Sequence, residues 1–348
     1  MSNTAANKLD TSPQTVLITG GAGYIGSHCV AHLKEYGHRV VILDDFSTGF
    51  SHLIQADDWV EGNTQDPETV LQVLQDFSVD AVMHFAAHCY VGESVQDPAK
   101  YYANNVNGSL RLFQTMVAAG VRRLVFSSTC AIFGDPDYLP LDETHPQRPI
   151  NPYGASKQMV ERILQDFDVA YGLKSVCLRY FNAAGAHPTL PIGECHQPET
   201  HLIPLALDVA LGKRSHLDIF GADYPTPDGT CIRDYVHIMD IAEAHRLALA
   251  YLNAGGNSEH YNIGTETGHS VKEVITACEH LSGRAIEVRM GPRRPGDPPS
   301  LVASAQKIRH HLGWRPVYPN LEETIQTAWQ WASKSHQASG YQSSTSSS

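Results

Sequence analysis

Short, continuously apolar runs alternate with helical stretches through the first half of the chain. The runs are TVLIT at 15–19, RVVIL at 39–43, DAVMHF at 80–85, RLVFSS at 123–128 and SVCLRYF at 175–181. They are rich in β-branched residues and too short for helices. Their lack of polar alternation predicts strands buried on both faces of a parallel sheet. Between them, 24–36 and 99–119 read as helices. In the second, Tyr102, Val106, Leu110, Phe113 and Val117 recur at steps of three and four. This alternation predicts an α/β fold: a doubly wound, mostly parallel, Rossmann-like sheet with right-handed crossovers. After about residue 185, Pro and Gly become denser and the elements shorter, as in HPTLPIGECHQPETHLIP and GPRRPGDPP. A smaller, mixed α/β second domain is expected there, with helices near 239–252, 270–281 and 320–333. The expected layout is a flexible lead at 1–13, a first domain at 14–187 and a second at 188–336. A segment around 232–262 is expected to return to the first domain. The Ser-rich stretch 337–348 is expected to be disordered.

Composition narrows the class. The chain has 348 residues, 42% hydrophobic and 18% charged, with a formal net charge of −12. That acidity lacks the basic footprint of a nucleic-acid binder. No apolar run approaches the roughly 18–20 residues of a membrane span, and the polar N-terminus has no signal-peptide core. Seven widely spaced cysteines without a CxxC fit reduced thiols in the cytoplasm better than a disulfide framework. Nineteen histidines call for a metal check. The closest pair, His84 and His88, has no third ligand at zinc spacing, so no metal is expected.

Chemistry concentrates at the carboxyl ends of the predicted strands. The first strand runs into Gly20, Gly23 and Gly26, spaced G-x-x-G-x-x-G and opening a helix. That arrangement suits close approach of backbone to a pyrophosphate at a helix N-terminus. Asp44 ends the second strand, where a carboxylate can accept both adenosine ribose hydroxyls and repel a 2′-phosphate. With no Arg or Lys in 44–52, NAD is favoured over NADP. Tyr153 and Lys157 lie four apart on one helix face, an arrangement in which a neighbouring ammonium favours the phenolate. Ser127-Ser128-Thr129 ends the strand before that helix. Thr129 can bond a substrate hydroxyl and pass its proton to Tyr153, although such a cluster can also merely satisfy backbone groups.

With these residues in place, the chain resembles the extended short-chain dehydrogenase/reductase superfamily, and within it the UDP-glucose 4-epimerase family. The resemblance runs from Thr15 to Trp331 through VLITGGAGYIGSH, HFAAHCYVGESV, YYANNVNGS, NPYGASK, LRYFNAAGAH, DYPTPDGTCIRDYVHIMD and RRPGDPPSLVA. It implies tightly held NAD that is not consumed and a UDP-hexose substrate. The implied reaction interconverts UDP-glucose and UDP-galactose, a step of galactose metabolism. Hydride leaves C4, the 4-keto sugar turns over, and hydride returns. Tyr153 is then the base, assisted by Thr129, and Lys157 also holds the nicotinamide ribose. Tyr24 and Ile25 lie against the pyrophosphate, Asp44 and Asp45 meet the ribose, and Asn63 and Thr64 join the cofactor contacts. Phe85, Ala86, Ala87, Asn104 and Phe181 complete that set. Asn182 and Arg233 match diphosphate contacts, and Ile219 and Phe220 fall in the uridine segment. Arg294 and Asp297 match holders of diphosphate and uridine ribose. His201, Leu202 and Leu301 are further substrate contacts. The resemblance also implies a homodimer through helices at 98–119 and 153–171.

Some positions depart from the family. Asn63 replaces an Asp that meets adenine, and His201 replaces an Asn in some relatives. Cys89 replaces a Lys, and Thr129 a commoner Ser. Leu301 stands where a bulky Tyr restricts the pocket in some members, which leaves UDP-N-acetylhexosamines as alternative substrates beside UDP-pentoses. A 4,6-dehydratase needs acidic groups beside the active hydroxyl, where this chain has Cys130 and Ala131. A non-enzymatic NAD-binding protein predicts a broken Tyr/Lys pair. A structural reading of Arg233 makes it the ion-pair partner of Asp234 or Asp240.

Overall fold

The computed structural model describes residues 9–294 and 297–345, with 335–345 as backbone only. The elements run β1 (Thr15–Thr19), α1 (Tyr24–Glu35), β2 (Arg39–Asp44), β3 (Asp58–Glu61), α2 (Pro67–Asp76), β4 (Ala81–His84), α3 (Val91–Gln96) and α4 (Pro98–Tyr101). Next come α5 (Ser109–Ala119), β5 (Arg123–Thr129), α6 (Pro152–Tyr171), β6 (Lys174–Tyr180), β7 (Asn182–Ala184), α7 (Leu202–Ala210), β8 (Leu217–Phe220) and β9 (Ile232–His237). The chain closes with α8 (Ile238–Asn253), β10 (Glu259–Ile263), β11 (Gly268–Ser270), α9 (Val271–Ser282), β12 (Val288–Gly291), β13 (Ser300–Leu301), α10 (Gln306–Leu312) and α11 (Leu321–Thr345).

Seven strands form one sheet in the order β10-β6-β5-β4-β1-β2-β3, and every pairing in it is parallel. The doubly wound sheet is therefore as the apolar runs foretold. β1, β2, β4, β5 and β6 are buried almost throughout because helices cover both faces. One apolar core lies between the sheet and α1 and α8; another lies under α2, α5 and α6. Two strands escaped the pattern. β3 is a short edge strand of alternating burial, with Trp59 48% exposed, and β10 opens with Glu259 and His260.

The helix predicted over 99–119 is interrupted. Residues Tyr102–Gly108 form a π-helical stretch between α4 and α5, a feature that periodicity of 3.6 does not encode. α11 runs past the predicted end at 333, so backbone up to Thr345 is helical where disorder was expected from 337. Residues 346–348 and 1–8 lie outside the described residues. Of the expected lead, the Asp10 amide donates to Ala250 O of α8.

The C-terminal elements build smaller sheets. β9 pairs with β11, β13 and β7, and β8 pairs with β12. From β9 the chain runs through α8, which packs on α1, into β10 at the edge of the large sheet.

Candidate functional site

At the carboxyl edge, the chain leaves the adjacent strands β1 and β4 toward opposite ends of the sheet, and the loops after them define a crevice. The glycine loop after β1 is sterically committed. Gly20 sits at φ +76°, and a Cβ there would come within 2.6 Å of Ala86 N. A Cβ on Gly26 would lie 2.1 Å from Gly20 O. Gly23 is looser, with only Gly20 O at 3.4 Å. α1 starts at Gly23 without a side-chain cap, so its first-turn amides are left for an outside acceptor.

Asp44 stands beside this loop. Its carboxylate accepts from the amides of Ala22 (2.9 Å) and Phe46 (2.9 Å). Burial raises its pKa, and the two amide bonds oppose that rise. Asp45 accepts from Asn63 Nδ2 at 2.7 Å, so the departure at 63 is tied to the carboxylate next to Asp44. Thr64 is buried with its hydroxyl 3.2 Å from where a Cβ on Gly108 would stand. Phe85 and Ala86 donate their amides to Thr19 O, which ties the segment after β4, continuing into Ala87, to the end of β1. Asn104 lies on the π stretch and donates to Asn105 Oδ1 at 3.1 Å.

Tyr24 opens α1, and its side chain has a partner of its own. Its hydroxyl donates to Gly185 O at 2.6 Å, and its ring meets His28 and His196 edge-on. The side chain braces the start of α1 against the loop after β7. Ile25 packs against the core between sheet and α1.

The Tyr/Lys pair opens α6. Asn151 caps the helix through Gly154 N at 2.9 Å, and Pro152 occupies its first position. A Cβ on Gly154 would lie 2.4 Å from Ala131 O. This glycine lets the helix settle onto the end of β5 and brings Tyr153 beside Thr129. Burial raises the Tyr153 pKa above its ordinary value, nearby thiols add to this, and the Thr129 hydroxyl opposes it. Lys157 is 3% exposed; its ammonium donates to Ser127 O at 2.8 Å and lies 4.9 Å from the Phe126 ring centroid. Burial lowers its pKa to about 8.

The three hydroxyls ending β5 separate into three tasks. Ser127 meets the Tyr180 hydroxyl. Ser128 donates to Glu161 Oε1 at 2.5 Å, within the buried Arg179–Glu161 ion pair. Thr129 accepts Ala131 N at 3.1 Å and faces Tyr153. Asn105, not singled out in the sequence, donates to Ser156 Oγ at 3.1 Å and to His88 O at 3.0 Å. It joins the π stretch to α6, and the YYANNVNGS segment carries no periodic signal for that role.

The second wall comes from the small sheets. Arg233 on β9 donates to Pro298 O at 2.8 Å and pairs with Asp297. This corrects the structural alternative. Asp234 instead accepts from Thr265, Glu266 and Ala303, and Asp240 from the Val317 and Tyr318 amides. Leu301 is paired with Arg233 across the β13–β9 ladder and packs on the cluster holding Phe181, Cys130 and Ile132. Asn182 begins β7 opposite Tyr235. The Arg294 guanidinium lies 4.0 Å over the Phe220 ring, at the end of β8 next to buried Ile219. His201 precedes α7 without capping it through its side chain, and Leu202 is the first helical residue. The His201 ring is engaged by Glu199 at 2.9 Å and Glu194 at 2.8 Å.

His84 serves the core. Its Nδ1 meets Thr19 Oγ1 at 2.6 Å and its Nε2 meets Ser109 Oγ at 2.9 Å. A different set, Glu194, His196, Glu199 and His201, brings four possible ligand atoms within 4.8 Å of one another. Sequence spacing around His84 and His88 gave no hint of it.

Comparison with known proteins agrees with this geometry. Residues 16–264 match the NAD dependent epimerase/dehydratase family. The chain is 51% identical over 324 residues to a UDP-glucose 4-epimerase of Rhizobium leguminosarum bv. trifolii, covering 93% of this chain and 99% of that one. The crystal structure of UDP-glucose 4-epimerase from Brucella ovis in complex with NAD is 45% identical, with a TM-score of 0.89 over 91% of this chain and 98% of that one. That from Bifidobacterium longum, in complex with NAD+ and UDP, is 35% identical, with a TM-score of 0.88 over 92% and 98%.

Proposed function

The chain belongs to the NAD dependent epimerase/dehydratase family, and on that premise we propose how its residues interconvert UDP-glucose and UDP-galactose with NAD held throughout. The observation that carries the reading is the meeting of Thr129, Tyr153 and Lys157 at one sheet edge, beside a glycine loop that tolerates no side chains at 20 and 26.

The residues present fit NAD. The glycine cradle and uncapped α1 suit its pyrophosphate. Asp44, already fixed by two amides, keeps lone pairs for ribose hydroxyls. Phe85, Ala86, Ala87, Asn104, Phe181 and the Asp45–Asn63–Thr64 corner line the remainder. Held there, NAD would supply reversible hydride exchange at C4 of the sugar, which is what inversion at that carbon needs.

The chain's own work is proton handling and grip. Thr129 Oγ1 relays the 4-hydroxyl proton to Tyr153. Burial alone holds that phenol protonated, so the base form depends on positive charge nearby. Lys157 supplies it while Ser127 O fixes the ammonium. Arg233 and Arg294 clamp the diphosphate, Asp297 takes the uridine ribose, and Ile219 and Phe220 flank the uridine. Asn182, His201 and Leu202 border the diphosphate. Arg suits this clamp because its fork binds two oxygens at once. We read 14–187, with the return through α8 and β10, as the cofactor half, and the rest to 336 as the substrate half.

Incubating the purified protein with UDP-galactose without added NAD, and separating products by sugar-nucleotide chromatography, tests this. UDP-glucose is the expected product; none after NAD is supplied would sink the reading. Leu301 favours a second, wider reading in which UDP-N-acetylhexosamines also turn over, because the half-buried leucine leaves the Phe181 side of the pocket less filled than a tyrosine would.

The same reading pairs two chains through 98–119 and 153–171. On α6, Met159 is 45% and Val169 91% exposed. Light scattering is expected to give twice the chain mass. The working compartment is the cytoplasm; no helix among the described residues is long and apolar enough to cross a membrane.

A further inference from the structure

The loop before α7 collects four side chains that the epimerisation chemistry does not use as a group. Glu194, His196, Glu199 and His201 converge from an eight-residue span. Their contacts alternate between imidazole nitrogen and carboxylate oxygen. His201 Nδ1 is 2.8 Å from Glu194 Oε1 and 2.9 Å from Glu199 Oε1; His196 Nδ1 is 3.4 Å from Glu194 Oε1 and 3.5 Å from Glu199 Oε2. The Glu194 side chain is only 6% exposed, yet its Oε1 forms no properly directed hydrogen bond, and neither does the buried His196 Nδ1. Buried polar atoms held by ion-pair contacts without a well-directed hydrogen bond leave room for an ion between them.

The surroundings hold these ligand atoms in place. The Thr200 and His201 amides donate to Glu199 Oε1 at 2.7 and 2.8 Å. Trp331 Nε1 donates to the Glu194 carbonyl at 3.0 Å. Tyr24 and Tyr90 both meet the His196 ring edge-on at 6.1 Å. An outer shell of this kind is what orients metal ligands.

We propose that Glu194, His196, Glu199 and His201 form a tetrahedral zinc(II) site that fastens the loop before α7 to Tyr24 at the start of α1. Two imidazole nitrogens and two carboxylate oxygens are a zinc donor set. Magnesium and calcium favour more oxygens and higher coordination. Zinc–ligand distances of about 2.0–2.2 Å place tetrahedral ligand atoms roughly 3.4 Å apart; the contacts here run from 2.8 to 3.5 Å, with all four ligand atoms within 4.8 Å of one another, so small side-chain shifts complete the site. Binding releases the Nδ1 protons, and the ion's two positive charges balance the two carboxylates. Without the ion, the same groups hold together as imidazolium–carboxylate pairs. All four positions are filled by the chain, so the site is structural and leaves no open coordination position for substrate.

The test uses the full chain, produced without a histidine tag, stripped with chelator and then titrated with zinc chloride. One zinc per chain is expected by elemental analysis after dialysis, together with a rise in Tm that grows with zinc concentration. Cobalt(II) is expected to give visible tetrahedral bands without the near-ultraviolet thiolate band, which separates this site from the cysteines. Glu199→Gln keeps the acceptor for the Thr200 and His201 amides, so it preserves the loop. It and His196→Gln are each expected to weaken zinc binding by more than about 100-fold, beyond the loss of an outer-shell partner. Equal zinc uptake by wild type and both variants, a thiolate cobalt spectrum, or a zinc-independent Tm would each overturn the site and leave an ion-pair cluster only.

Discussion

The two walls of the site are built by opposite means. On the β5–α6 side, the groups we propose to react hang from long regular elements. Tyr153 and Lys157 are fixed by one capped helix, and Thr129 by the end of a strand buried on both faces. On the β8–β9 side, short strands and loops carry the residues, and these hold one another. Arg233 is pinned by Asp297 and Pro298 O, and Arg294 lies on Phe220. A secondary-structure frame gives the chemistry a fixed geometry. A mutually paired clamp can exchange its internal contacts for those of a diphosphate.

Four substitutions sharpen this contrast, beginning with the largest effect. Tyr153→Phe keeps the ring and the helix, and general acid–base loss is commonly a factor of about 10²–10⁴. Epimerisation is expected to fall by at least that range in kcat while the NAD absorbance of the purified protein is unchanged; a fall confined to KM breaks the assignment. Arg233→Lys keeps the charge but loses the fork shared by Asp297 and Pro298 O. A rise in KM for UDP-glucose of about tenfold or more is expected, with a smaller change in kcat. A reversed split would place Arg233 on the catalytic wall. Leu301→Tyr is expected to lower the ratio of UDP-GlcNAc to UDP-glucose turnover several-fold by filling space beside Phe181. If wild type shows no UDP-GlcNAc turnover at all, the wider substrate reading is wrong.

The smallest effect concerns stability. Burial takes Lys157 from 10.5 to about 8 in the folded chain. At pH 7 the group is charged in both states, and the folded state bears the cost of burying it. As pH rises from 8 to 10.5 the unfolded chain holds the extra proton, so wild-type stability from this group increases. Lys157→Met in cofactor-stripped protein is therefore expected to have its most favourable Tm difference at pH 7, shrinking toward pH 10, while activity is lost at every pH. A Tm difference that does not move with pH would show that the ammonium carries no burial cost.

Most of the first wall could be read from sequence because its signals are local. The runs at 15–19, 39–43, 80–85, 123–128 and 175–181 carry burial on both faces in their composition. The glycine spacing and Tyr153/Lys157 follow from strand–turn–helix geometry. The second wall was reached only by resemblance. β8, β12 and β13 span four, four and two residues, too few to establish a period. The Arg233–Asp297 pairing joins residues 64 apart, and nothing local distinguishes it from a pairing with Asp234. The π stretch at 102–108 and its Asn105 bridge were hidden for a related reason: the apolar spacing fits an α-helix. Tyr24 carries a side-chain contact no local pattern signals, its hydroxyl donating to Gly185 O 161 residues away.

The return of the chain from β9 through α8 to β10 has a mechanical result. The strand that closes the large sheet beside β6 is made after the first residues of the opposite wall, so the two lobes are sewn together rather than strung in series. A protease nick in the loops between 185 and 231 therefore leaves both fragments interlocked, and neither lobe can melt without stripping the flank of the other. The crevice between them is a shared seam, and it cannot come apart while the sheet survives.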